Sequence, residues 1–142
     1  MPDNDIAIAD KPNKVGWHRF NFTDYVSGAL TTGNAKKEWI VPFFCKIIDI
    51  VIDSAGAGVG TATTIFDINR NGTTLFTTQN NRPALRSIDT GYYKWTADGL
   101  TDRKPPDIVR LVPGDVLSYD IDQIQSTSGA TRTIVNIMVD AQ

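Results

Sequence analysis

The chain has 142 residues, and its 14 Lys and Arg residues against 16 Asp and Glu residues give a net charge of −2. This near-neutral balance, without a cationic run, argues against nucleic acid or an anionic membrane surface as a partner. No stretch approaches the roughly 18 apolar residues of a membrane span. Cys45 is the only cysteine, which excludes an intrachain disulfide and a thiolate metal cluster.

Residues 1–16 are polar and are interrupted by Pro2, Pro12 and Gly16. This composition predicts a flexible, extended arm that contributes little to a core. The segment lacks the apolar run of a secretory signal peptide, so we expect synthesis in the cytoplasm without a signal peptide. Residues 17–33 alternate apolar and polar side chains only in part, which predicts a weak strand followed by a loop.

The densest apolar stretch covers residues 39–53. Apolar residues at both alternating sets of positions are typical of a strand buried on both faces at the centre of a sheet. We expect Cys45, inside this strand, to be a buried and unreactive thiol. Strict alternation predicts two faces, one with Phe44, Ile48, Ile50 and Ile52 and the other with Cys45, Ile47 and Val51.

Three glycines, Gly56, Gly58 and Gly60, follow this strand with a GxGxG spacing. A phosphate-binding loop needs a helix directly after such glycines, because the helix N-terminus supplies the free amides. The residues that follow are rich in Thr and are typical of a strand instead. We therefore interpret the glycines as a flexible connection between strands.

Two turn motifs, each joined to alternating residues, carry the strongest structural signal. Residues 64–70 lead into Asn71-Gly72, a dipeptide that accepts positive φ and predicts a type I′ hairpin. Pro113-Gly114-Asp115 predicts a chain reversal before a strand at 116–124. The faces predicted for that strand carry Leu117, Tyr119 and Ile121 on one side and Ser118, Asp120 and Asp122 on the other.

The remaining C-terminal half contains one irregular region and one clear strand. Residues 79–106 are rich in Asn, Asp, Gly and Pro, whereas residues 131–140 alternate regularly. No helical period extends over ten residues, so the chain as a whole predicts an all-β, antiparallel β-sandwich. The last strand is expected to place Ile134 and Met138 opposite Thr133, Val135, Ile137 and Val139.

The order of several motifs adds a family resemblance. These motifs are Trp-Ile-Val-Pro at 39–42, the glycine-rich break, Asp-Ile-Asn-Arg-Asn-Gly-Thr at 67–73, an Arg-Pro, Pro-Gly-Asp-Val-Leu at 113–117 and Asp-Ile-Asp-Gln at 120–123. The pattern extends over residues 38–140 and resembles a β-sandwich module of tailed-phage virion proteins. That module occurs in capsid decoration (cement) proteins and in fibre or receptor-binding parts. We accordingly expect a flexible arm at 1–16 and one jelly-roll-like sandwich domain at 17–142.

Few residues could support catalysis. His18 is the only histidine, and neither Cys45 nor any serine lies in a GxSxG nucleophile elbow. A reactive thiolate needs a polar environment, so a pair of Cys45 with His18 is disfavoured, although the sequence leaves it open. We expect no enzyme activity, no catalytic residue and no cofactor.

Two pairs of carboxylates have spacings that a cation could use. Asp120 and Asp122 lie two residues apart and project from one side of a strand. They could bind calcium or act as acid and base, but the favoured interpretation is the solvated face of a sheet. Asp98 and Asp102 have the spacing of a calcium loop but lack its full sequence pattern. No metal site is therefore assigned.

Seven aromatic residues form the candidate interface. Amphipathic rings in polar surroundings favour interfaces. The rings near residue 93 could stack on sugars, contact a neighbouring subunit or cover the open end of the sandwich, and those after the arm favour docking on another protein. The candidates are Trp17, Phe20, Phe22, Tyr25, Tyr92, Tyr93 and Trp95.

Together with the resemblance, these features predict a non-enzymatic structural protein of a phage virion, most simply a decoration protein on the outer capsid shell. The expected partners are the major capsid protein and further copies of the chain, and the resemblance implies a homotrimer at local three-fold positions. The alternative is a tail-fibre or receptor-binding module that uses residues 92–95 against host glycan. A polysaccharide hydrolase is disfavoured because no acid/base pair can be assigned.

Overall fold

The computed structural model describes residues 19–85, 92–96 and 104–142. The predicted arm, Trp17, His18, Asp98 and Asp102 lie outside these ranges. Within them no α-helix occurs, and a short 3-10 helix covers Gln79–Asn81. The described residues contain no helix long and apolar enough to cross a membrane. The strands are β1 Arg19–Val26, β2 Gly33–Ile40, β3 Cys45–Gly56, β4 Thr64–Arg70, β5 Thr73–Thr74, β6 Ala84–Leu85, β7 Tyr92–Thr96, β8 Arg110–Leu111, β9 Val116–Gln123 and β10 Thr131–Ala141.

The strands form two antiparallel, five-stranded sheets. The first has the order β1-β10-β3-β7, with β8 also paired to β3, and the second has the order β2-β9-β4-β5, with β6 also paired to β4. The first strand therefore pairs with the last, the second with the second-last, and the third with β8. This is the connectivity of one long hairpin wound around a sandwich, the jelly roll. The predicted antiparallel, jelly-roll-like β-sandwich is confirmed.

The core lies between the inner faces of the two sheets. In β9 and β10 the buried side chains alternate with exposed or half-buried ones, so the faces predicted for both strands are confirmed, except that Ser118 on the outer face is also buried. Such alternation buries apolar side chains between two sheets about 10 Å apart. The largest fully buried side chains are Tyr93, Tyr119, Phe66, Phe76, Leu30, Ile47, Ile50, Ile52, Ile68, Leu75, Leu85 and Leu111.

The predicted strand at 39–53 is two strands, and a bulge changes the faces of the second. β2 ends at Ile40 and β3 begins at Cys45. β3 lies at the centre of its sheet, as predicted, but its register with β10 shifts at Ile48. A bulge adds one residue and so reverses the alternation beyond it. The predicted faces were wrong for this reason, because the side chains that share the core are Cys45, Ile47, Ile50 and Ile52.

Both predicted turns are present. Asn71 and Gly72 have φ values of 52° and 79° and join the paired strands β4 and β5, as a type I′ hairpin requires. At the second turn Gly114 has a φ of 91°, and the N–H of Asp115 donates to the carbonyl of Val112 at 3.1 Å. The hairpin and the chain reversal are thus confirmed.

The glycine-rich break is a close-packed connection between strands. Strand β4 follows it, and no helix does. Val59 forms an isolated bridge with Ser128 in the opposite loop. A Cβ atom on Gly60 would lie 2.7 Å from the backbone nitrogens of Ser126 and Thr127. Glycine is therefore required by the approach of two loops, and the geometry of a phosphate loop is absent from this described segment.

Candidate functional site

One end of the sandwich gathers several chain connections. β1 and β3 begin at this end, and β2 and β10 end there. The connection from β2 to β3 packs against the turn before β9. Gly114 N–H donates to the carbonyl of Val41 at 2.8 Å, and Val41 N–H donates to the carbonyl of Asp115 at 2.8 Å. These paired bonds hold the two connections side by side as one surface.

Large apolar side chains are exposed on this surface. Ile40 and Phe44 expose 72 % and 60 % of their area, and Phe20 and Val112 are each nearly half exposed. The ring of Phe20 lies 4.6 Å from that of Phe43, measured between centroids. Single exposed apolar residues are ordinary, but a patch of them marks an interaction surface. We call the end of the sandwich that carries Phe20, Ile40, Phe44 and Val112 the apolar end.

Two titratable groups lie beneath the apolar end. The carboxylate of Asp115 accepts the N–H of Val112 and the side-chain amide of Asn71, both at 2.9 Å. Burial opposes its ionisation, but these hydrogen bonds and the charge of Arg70 lower its pKa overall. Burial, reinforced by the negative charge of Asp115, raises the pKa of Cys45 to about 11. The predicted buried thiol is confirmed, and it is a poor nucleophile.

The seven aromatic candidates separate into different environments. Phe20 and Tyr25 are exposed, whereas Phe22 is half buried and packs 6.0 Å from Trp39, measured between ring centroids. Trp17 and the side chain of Tyr92 lie outside the described part of the chain. Of the five candidates whose side chains the structure describes, only Phe20 lies at the apolar end.

Tyr93 and Trp95 require a correction. They expose 2 % and 6 % of their area and pair across β3 with Ile52 and Ile50 on the inner face of the sheet. The expectation that these two rings are exposed was wrong, because the strand alternates and half-buried Lys94 takes the outer position. Tyr93 and Trp95 lie on either side of Lys94 in the sequence, so both belong to the face opposite the lysine. This alternation could have indicated that they are core residues.

Sequence reasoning missed the most exposed residues of the apolar end. Phe44 was assigned to a strand face, and neither Ile40 nor Val112 was singled out. Pro42 lies between Ile40 and Phe44, and Pro113 directly follows Val112. Since proline ends regular strands, these two residues could have indicated exposed connections with apolar tips.

The candidate carboxylates on β9 already have partners within the protein. Asp120 accepts the N–H of Ala35 at 2.7 Å and the amide of Asn69 at 2.9 Å. Asp122 pairs with Arg82 at 2.5 Å. Across residues 19–85, 92–96 and 104–142, no group of three or more His, Cys, Asp or Glu side chains is placed to hold a metal ion. The contacts fit a polar outer face.

Family models and curated proteins were compared with the chain. No protein-family model matches the chain, and no curated protein matches it. The jelly-roll fold and the exposed apolar end are therefore the features of the molecule that bear on its function.

Proposed function

We propose that the chain is a non-enzymatic structural protein of a phage virion, a decoration protein bound through its apolar end to the outer surface of the capsid. The observation that carries this proposal is the exposure of Ile40 and Phe44 at the two ends of the β2–β3 connection, which is hydrogen-bonded to the turn before β9. Burial of such side chains is favourable by about 1.5–3 kcal/mol each. A rigid surface of this kind suits attachment to a protein shell.

The position of the arm supports the same attachment. β1 begins at Arg19, next to Phe20, so residues 1–18 join the sandwich at the apolar end. On this proposal the arm follows the shell surface, while the apolar end supplies the anchoring contact. An arm that orders on binding adds contact area at an entropic cost.

Contact between copies of the chain is proposed at a second place. Tyr25 and Ile134 are cross-strand partners on the outer face of the first sheet, and both are substantially exposed. Aromatic rings beside β-branched residues form favourable cross-strand contacts and recur at interfaces. The fold alone does not carry this function, since jelly rolls also occur in lectins and cupins.

The test is add-back of purified protein to particles that lack it. We expect Phe44→Ser to weaken binding about thirtyfold, as loss of an anchor of about 2 kcal/mol implies. Val59→Ser is the matched control, because Val59 is similarly exposed on a loop at the other end of the sandwich. Circular dichroism should show both variants folded. Wild-type binding by the Phe44 variant would refute attachment through the apolar end.

Copy number in the particle separates decoration from the tail-fibre alternative. Hundreds of copies per particle fit a decorated shell, and a few tens at the tail fit a fibre. Burial of Tyr93 and Trp95 removes two of the three rings that the glycan-binding alternative would use. The decoration proposal is therefore the one that the geometry favours.

A further inference from the structure

A pocket of about 530 Å³ lies on the outer face of the second sheet. A row of three side chains crosses its floor, since Glu38 on β2 pairs with Ser118 on β9, which pairs with Asn69 on β4. Ala35, in the irregular part of β2, and Gly72, in the type I′ turn, also line it. We call this the outer pocket.

Ser118 is the observation that points to a ligand. It exposes 5 % of its area and lines the outer pocket, yet its hydroxyl has no hydrogen-bond partner within the part of the chain that the structure describes. The hydroxyl reaches solvent, and it is free to form a hydrogen bond with a ligand. A group bound in the pocket would therefore be within reach of this hydroxyl.

The free groups of the outer pocket are mainly acceptors. Glu38 forms no ion pair among the described residues, and Asp120 keeps lone pairs beyond the two hydrogen bonds that it accepts. No cationic side chain lines the pocket. Lys36, close by in sequence, donates instead to the hydroxyl of Thr31 at 3.0 Å. The complementary ligand is therefore a cation rich in N–H donors, and an anion is disfavoured.

A guanidinium group matches this lining better than a sugar does. It presents five N–H donors in a planar fork that fits carboxylates bidentately. Val116 adds an apolar wall against which the aliphatic part of such a side chain could pack. No aromatic ring lines the pocket, so the stacking face that commonly binds sugars is missing.

We propose that the outer pocket binds the guanidinium group of an arginine side chain presented by a partner protein. The guanidinium donates to Glu38 and Asp120, and Ser118 accepts a further N–H. That the partner belongs to the phage shell rests on the proposed function, whereas the chemistry of the pocket does not.

The first test is an NMR titration of the isotope-labelled protein with ethylguanidinium chloride. We expect saturable shifts confined to the amides around the pocket, including Ala35 and Gly72. Glu38→Gln should weaken this binding about tenfold, and Ser118→Ala about threefold, in line with a charged and a neutral hydrogen bond. Asp53→Asn is the control, since it removes an equal charge from an exposed site on the other sheet and should leave the titration unchanged.

Three results of the titration would overturn the proposal. One is a failure of the cation to bind through Glu38, seen either as the absence of saturable shifts at the pocket amides or as equal binding by the Glu38→Gln variant. Another is equal or tighter binding of ethylammonium chloride, which would make the pocket a general cation site. The third is tighter binding of methyl glucoside, which would make it a sugar site.

Particle binding then tests the source of the arginine. If wild-type protein binds the particle and Glu38→Gln binds about tenfold more weakly, the shell presents the arginine. If both bind equally while ethylguanidinium still binds the isolated protein, the shell is excluded as the source. If wild-type protein does not bind particles, the proposed function fails, and the titration still decides the chemistry of the pocket.

Discussion

The side chain of Asn71 joins the two turns that dominate the sequence pattern. Its Nδ2 donates to Oδ1 of Asp115 at 2.9 Å, and its Oδ1 accepts the N–H of Val116 at 2.8 Å. The backbone N–H of Asn71 also donates to the carbonyl of Val116 at 2.8 Å. One asparagine thus tolerates positive φ in the hairpin and connects that hairpin to the start of β9. This junction underlies both the apolar end and the outer pocket.

We predict that Gly72→Val destabilises the protein by about 1 kcal/mol or more. Gly72 has a φ of 79°, where a β-branched side chain is strained. No atom lies within 4 Å of a Cβ built there, so the loss would come from the backbone and not from a clash. Urea denaturation followed by circular dichroism measures the change.

Gly28→Val is the matched control for this substitution. A Cβ on Gly28 also meets no atom within 4 Å, but its φ is not positive. We expect its free energy of unfolding to stay within about 0.5 kcal/mol of wild type. Equal losses in the two variants would contradict the role of the type I′ turn.

A second prediction concerns the stability of the fold at acidic pH. Hydrogen bonds from Val112 and Asn71 and the charge of Arg70 outweigh burial and lower the pKa of Asp115. Because the folded pKa lies below the unfolded value of about 3.9, the ionised group stabilises the fold above that value. This contribution is lost as the pH falls through the folded pKa.

The measurement is the urea midpoint between about pH 5 and about pH 2, the window in which this linkage acts. In Asp115→Asn, the decrease of the midpoint on acidification should be smaller than in wild type. Asp53→Asn, an exposed carboxylate replaced in the same way, should keep the wild-type decrease. An unchanged decrease in Asp115→Asn would show that this group does not govern acid stability.

The strand pattern could be predicted wherever alternation and turn residues agree. β9 and β10 alternate without interruption, and the dipeptide Asn71-Gly72 admits few turn types. Prediction failed where the backbone departs from regular pairing. The bulge at Ile48 reverses the faces of β3, and the residue types in this stretch do not predict a bulge.

β2 and the candidate surfaces were harder to predict for a related reason. β2 is an edge strand with mostly exposed, polar residues, so it lacks the apolar alternation that marks a strand. The outer pocket combines Glu38, Ser118 and Asn69 from three strands that are distant in sequence. Only the strand order places these residues in one row, and the sequence does not specify that order.

A third prediction replaces the expectation of a binding role for Trp95. Because its ring is part of the core, Trp95→Ala should lower the free energy of unfolding by about 3–5 kcal/mol. Tyr25→Ala, at an exposed position on β1, should change it by no more than about 0.5 kcal/mol. Thermal and urea denaturation of both variants measure the difference. A stable, folded Trp95→Ala protein would contradict the core placement.

The last prediction is that deletion of residues 1–16 leaves the sandwich folded and weakens attachment to the particle. β1 begins at Arg19 and pairs with β10 along its whole length, so the deletion spares every described strand. Apart from Met1, the deleted segment has Ile6, Ile8 and Val15 as its only sizeable apolar residues, which offer little core burial. Circular dichroism, urea denaturation and add-back to particles measure the two effects.

Combining the deletion with Phe44→Ser should weaken binding further than either change alone, since the arm and the apolar end supply separate contacts. Loss of folding on deletion would instead show that the arm completes a sheet.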